Sequence, residues 1–211
     1  MIINRENNFV FIHIPKTGGS SFCNSYLDFM GLNTRREGRG WQSPAYENGI
    51  MHSMYREKEA IINNMFVTCV VRNPFDRWVS CYGSMLREKR NHFSNPEAIY
   101  IHHLALDSSF EKWVNTLIDE HSMWNTVFIR PQTEFIKNYA GVIDINLIGR
   151  CEEYSKFIED VNNLTNLKVK ESLKNTSKHK PYQEYYTESL VKLVQDWNKE
   201  DFDNFEYKNT L

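Results

Sequence analysis

The sequence predicts an α/β protein, a three-layer sandwich with a mainly parallel central sheet. Three observations carry that expectation. Short, nearly continuous apolar runs (Phe9 to Ile14, Met65 to Val71) have strand length and the two-sided hydrophobicity of strands covered on both faces. Segments with helical spacing of apolar residues follow them, and the two kinds alternate along the chain. No repeat, low-complexity tract or Gly/Ser/Pro-rich linker interrupts the 211 residues, so a single domain over 1–211 is expected.

The elements follow in order. After the first strand, Pro15-Lys16-Thr17-Gly18-Gly19 reads as a turn. From Ser20, the spacing of Phe22, Cys23, Tyr26, Leu27 and Met30 predicts a helix that Gly31 ends. Residues 31–64 are more polar and irregular, and read as an insertion beside the site. The second strand runs into Arg72-Asn73-Pro74, where Pro74 suits the first position of a helix continuing through Phe75, Trp78, Val79, Tyr82 and Met85. Further helices are expected over 110–118, 152–161 and 187–197, with a strand around 142–148.

Composition excludes several functions. Lys and Arg total 25 against 27 Asp and Glu, a formal net charge of −2, so bulk attraction to nucleic acid is not expected. No apolar run approaches the roughly 20 residues of a membrane-spanning helix, and no leader pattern precedes Phe9. Cys23, Cys69, Cys81 and Cys151 are scattered in apolar surroundings with no CxxC pair, which predicts buried, reduced thiols and a cytoplasmic protein.

The segment from Phe11 to Phe22, FIHIPKTGGSSF, is the most informative. A buried strand delivers a glycine-containing turn to the start of a helix, where unpaired backbone N–H groups and the positive helix end favour an anion. Gly18 and Gly19 let a phosphate approach the backbone. Thr17, Ser20 and Ser21 add hydroxyls, and Lys16 adds a full charge. The lysine precedes the glycines, so this is not a Walker A loop. Arg72 stands at the carboxyl end of the second strand, the edge at which open α/β sheets bind ligands, and its guanidinium suits a phosphate. Ser80 lies about two turns into the following helix and is placed to donate to the same group.

The PKTGGSS loop resembles the phosphosulfate-binding loop of sulfotransferases that use 3′-phosphoadenosine 5′-phosphosulfate (PAPS), closest to their carbohydrate branch. The RNPFDRWVSCY segment, with Arg72 and Ser80, resembles the 3′-phosphate site of the same family. Weaker likenesses cover Gly49 to Met54 with its His52, Pro131 to Phe135, Ile148 to Glu152, and Lys178 to Tyr186. The resemblance implies a P-loop-NTPase-like sulfotransferase fold in which Lys16, Thr17, Gly18, Gly19, Ser20, Ser21, Arg72, Ser80 and Lys178 hold the cofactor. It implies transfer of the sulfuryl group to an acceptor hydroxyl, on a carbohydrate or glycoconjugate, without a metal.

In that reaction Lys16 is suited to neutralise the leaving oxygen. His52 is the candidate base, because imidazole accepts a proton near neutrality. Glu47, Glu57 and Glu59 are the alternative bases. His13 is expected to pack beside the loop, Arg77 to be structural, His102-His103 to lie in a polar stretch, and the tyrosines at 182, 185 and 186 to belong to the core. The competing readings are a P-loop kinase and a nucleotide-binding module without catalysis. Magnesium-dependent ATP turnover would favour the kinase.

Overall fold

The computed structural model describes residues 1–31, 52–87, 96–120, 127–171 and 180–211. It resolves the chain into two compact units. One draws on Met1–Arg72 and Gln132–Thr176, the other on Asn73–Pro131 and Ser177–Leu211.

The first unit holds a four-stranded sheet in the order β1 (Ile2–Asn4), β2 (Phe9–Ile12), β3 (Phe66–Val71), β4 (Leu147–Arg150). β1 pairs antiparallel with β2, and the other pairings are parallel. The α/β architecture with a mainly parallel sheet expected from the alternation is therefore present. Strand alternation sends Phe9, Phe11 and Val70 to one face. There they meet Phe22 and Tyr26 of α1 (Gly19–Phe29) and Phe157, Ile158 and Val161 of α7 (Tyr154–Leu164). The rings form a continuous stack: Phe11 and Phe22 lie with centroids 4.2 Å apart, and Phe9 and Tyr26 at 5.4 Å. The remaining helices of this unit are α2 (Tyr55–Ile62) and α6 (Thr133–Ile136).

The second unit is helical: α3 (Pro74–Arg87), α4 (Pro96–Asp107), α5 (Phe110–Asp119), α8 (Glu188–Trp197) and α9 (Lys199–Phe205). Its core gathers Phe75, Trp78, Phe110, Trp113, Val194 and Phe202. Two aromatic polar groups there find backbone partners, as burial favours, whereas the buried Trp78 Nε1 has no hydrogen-bond partner among the described residues. Trp113 Nε1 donates to the Ile101 carbonyl at 3.1 Å, and the Tyr186 hydroxyl to that of Phe75 at 2.8 Å. Ser109 and Thr187 cap α5 and α8 by accepting from Lys112 N and Leu190 N.

Some sequence expectations need correction. The strand expected around 142–148 lies at 147–150, because Asn146 opens the ladder. Its backbone N–H and side-chain Oδ1 bond the carbonyl and N–H of Val67, while Val142 is an exposed turn residue. The irregular insertion over 31–64 contains α2, whose capping box uses Glu57 to accept from Met54 N at 3.0 Å. Residues 32–51 of it lie outside the described residues. The stretch with His102-His103, expected to be polar, is helix α4 with His102 buried, and His102 Nδ1 donates to the Met85 carbonyl at 2.7 Å. Cys23, Cys69 and Cys81 are buried as expected, whereas Cys151 is half-buried; none of the four forms a disulfide. Among the described residues no helix is long and apolar enough to cross a membrane.

Candidate functional site

The site starts where β2 ends. Thr17 is fully buried, and its hydroxyl donates to the Ile14 carbonyl at 3.0 Å, which closes the loop. Its hydroxyl thus serves the turn as a donor, and any ligand contact from it is as an acceptor. Lys16 stands at φ 68° and Gly18 at φ 87°, both left-handed. Lys16 holds that conformation at a cost of about 1–2 kcal/mol for a residue with a Cβ. Gly18 ends the loop as the N-cap of α1, and Ser21 N donates back to its carbonyl at 2.9 Å. Among the described residues, the N-cap Gly18 gives α1 no side-chain cap, and no acidic residue stands in the helix's first turn. The positive helix end is therefore not neutralised by the helix's own residues, the arrangement that attracts an anion. Ser20 is exposed there and Ser21 is buried.

The two glycines answer two different constraints. Gly18 is required by its positive φ, and its backbone also lies against Cys151 and Tyr154, with Cys151 Sγ 3.4 Å from where a Cβ would stand. Gly19 has helical backbone. A Cβ on it would lie 2.3 Å from His13 Cδ2 and 2.6 Å from Nε2, so the buried imidazole occupies the volume of any side chain at 19.

The parallel register brings Arg72 to this loop. Ile12 pairs with Cys69, so Arg72, three residues beyond, falls level with Pro15 and beside Lys16. Arg72 Nη1 donates to the Lys16 carbonyl at 3.3 Å. Its backbone is held by one side chain: Arg72 N donates to Gln132 Oε1 at 2.9 Å, and Gln132 Nε2 donates to the Arg72 carbonyl at 2.8 Å. Gln132 has no exposed surface. Sequence reasoning assigned it no role. Its only signal was a position inside the weakly family-like segment 131–135.

His52 reaches the same loop. Its Nδ1 donates to the His13 carbonyl at 2.8 Å, and the two rings meet edge to face with centroids 4.8 Å apart. A carbonyl only accepts, so the proton of a neutral His52 sits on Nδ1 and the lone pair on Nε2, the tautomer a base needs. Burial first, then the neighbouring His52, the amino terminus and Lys16, holds His13 well below the usual histidine range. His13 is thus neutral and packed, as expected.

Two of the rival carboxylates are engaged elsewhere. Glu57 caps α2, and Glu59 accepts from Tyr139 N at 3.0 Å. Glu47 lies outside the described residues, as does Lys178. Ser80 is buried in α3 of the helical unit. Arg77, also buried there, donates to the carbonyls of Arg130 at 2.9 Å and Phe128 at 3.4 Å, the structural part expected of it. Tyr182, Tyr185 and Tyr186 pack on the helical core.

A family model described as "Sulfotransferase family" matches residues 1–208. Neither the curated proteins nor the solved structures give a match.

Proposed function

The chain belongs to the sulfotransferase family, a transferase family, and on that premise we propose that it moves the sulfuryl group of PAPS to a hydroxyl of a carbohydrate-type acceptor, with His52 as general base. The observation that carries the reading is the start of α1, with glycine at its N-cap and no acidic residue in its first turn, following a loop whose Lys16 carbonyl accepts from the Arg72 guanidinium. The residues fit an anionic donor in that no acidic side chain stands in the first turn of α1, although the space beside Gly18 and Gly19 where a Cβ would stand is taken by Cys151 and His13 and not left to a ligand.

PAPS supplies an activated sulfur whose bridging oxygen leaves with the 5′-phosphate. The chain's own groups do the rest. His52 Nε2 would accept the proton of the acceptor hydroxyl, since the His13 carbonyl fixes the other ring nitrogen as the N–H. Lys16 would offset the negative charge of the departing phosphate. The N–H groups at the start of α1 would be the donors available to the sulfonate. Arg72 holds phosphate and, through the Lys16 carbonyl, keeps the loop in its left-handed turn. Thr17, Ser20, Ser21, Ser80 and Lys178 are assigned to the cofactor by the family resemblance.

Isothermal calorimetry with adenosine 3′,5′-bisphosphate and ATP tests the donor. The bisphosphate is expected to bind far more tightly, and equal or weaker binding refutes the reading. Labelled PAPS offered with glycans, lipids and small phenols then identifies the acceptor class. Transfer to phenols or lipids alone refutes the carbohydrate assignment.

A further inference from the structure

We propose that Gln132 is the positioning residue of this site: it fixes Arg72, and through Arg72 the Lys16 loop. The inference rests on the sulfotransferase reading above. β3 ends at Val71, whose ladder partner on β4 is Arg150, so Arg72 is the first residue past the sheet. There Gln132 takes over from the ladder. One fully buried primary amide closes both backbone groups of Arg72, accepting from its N–H at 2.9 Å and donating to its carbonyl at 2.8 Å. Glutamine is suited to this because its terminal amide presents an acceptor and a donor side by side, the pattern a neighbouring strand would offer.

The consequence reaches beyond the backbone. With its Cα held on both sides, Arg72 has its guanidinium launched from a fixed point, and Nη1 meets the Lys16 carbonyl at 3.3 Å. That carbonyl belongs to the residue held at φ 68°. The sequence of contacts runs from Gln132 to Arg72 to Lys16, from a fully buried side chain to two residues that the sulfotransferase reading gives to the cofactor. A guanidinium displaced by even a fraction of an ångström loses the parallel geometry that makes phosphate binding strong.

The test uses the full chain and adenosine 3′,5′-bisphosphate. Gln132→Met keeps the length and burial but neither hydrogen bond. It is expected to weaken bisphosphate binding about 5- to 150-fold, the equivalent of leaving a buried backbone group unpaired, and to raise the KM for PAPS with the acceptor KM unchanged. In an Arg72→Ala background the same substitution is expected to change binding less than about twofold, because the group it positions is gone. If the unsubstituted protein binds no bisphosphate, the sulfotransferase reading and this inference fall together. If it binds and Gln132→Met binds equally well, this inference alone is overturned.

Gln132→Glu keeps the test decisive should Gln132→Met fail to fold. The introduced carboxyl can donate to the Arg72 carbonyl only while protonated. Its bisphosphate affinity, taken as a ratio to the unsubstituted protein at each pH, is expected to recover between about pH 8 and about pH 5.5. Denaturation is followed at the same pH values, because ionising a buried carboxyl also loosens the fold. A ratio that does not change with pH, or one that changes only as the fold melts, overturns the inference.

Discussion

Gly19→Ala isolates one contact at the centre of the site. The added methyl would stand 2.3 Å from His13 Cδ2 and 2.6 Å from Nε2. The ring has little room to retreat: His13 is 2% exposed, its Nδ1 lies 3.7 Å from Cys23 Sγ, and the His52 ring meets it edge to face at 4.8 Å. Overpacking of this kind costs about 1–3 kcal/mol. Replacing a helical glycine by alanine returns about 0.5–1 kcal/mol, since Gly19 already has helical backbone. The net expectation is a loss of about 1–2 kcal/mol, which for a chain of this size lowers Tm by about 2–8 °C. Denaturation followed by circular dichroism, on the wild type, Gly19→Ala, His13→Ala and the double substitution, closes the cycle. With the ring removed, Gly19→Ala should be neutral or stabilising, a coupling of about 1–3 kcal/mol. If Gly19→Ala costs the same with and without the imidazole, His13 is not the reason for glycine at 19.

Other outcomes follow from the same geometry. Lys16→Ala and His52→Ala should lower kcat by about 100-fold or more while bisphosphate binding survives in His52→Ala; normal turnover in His52→Ala would reassign the base. Arg72→Ala should act mainly on cofactor affinity, weakening bisphosphate binding about 10- to 100-fold in calorimetry. His13 is held neutral in the fold, below its ordinary value of 6.5, so the unfolded chain takes up the proton first as pH falls. Stability should therefore be lost below about pH 6.5 at up to about 1.4 kcal/mol per pH unit. His13→Gln should flatten that part of the denaturation profile, and an unchanged slope would contradict the assignment. Burial pushes the Cys69 thiol up, out of reach of alkylation, whereas half-buried Cys151 lies against Gly18. Iodoacetamide mapped by mass spectrometry should label Cys151 first, and bound bisphosphate should slow it.

The parts of the fold legible in the sequence were those with a strong local period. The helices beginning at Gly19, Pro74, Phe110, Tyr154 and Glu188 each bury a repeating apolar stripe that spacing reveals. The short β1 and the helices over 55–62, 96–107 and 199–205 escaped it. β1 has three residues, too few to show alternation, and α4 carries two adjacent histidines that break the look of a helix stripe although Ile101, His102 and Ala105 are buried. Their structure comes from what packs against them. That dependence is non-local, and a period cannot report it.

The sequence by itself determined the strand–turn–helix with its lysine and paired glycines, and the arginine at the end of a second buried strand. Chain-local chemistry was enough for both, because glycine takes a positive φ such as that of Gly18 at little cost and a helix start attracts anions wherever they occur. Only the tertiary structure decided that His13 excludes a side chain at 19, that its carbonyl fixes the His52 tautomer, and that Gln132, 60 residues from Arg72, holds that arginine by its backbone. Each of these depends on register and on a distance of a few tenths of an ångström between segments far apart in the chain. Hydrogen bonds and close contacts discriminate on that scale, whereas hydrophobic patterning reports only which face is buried.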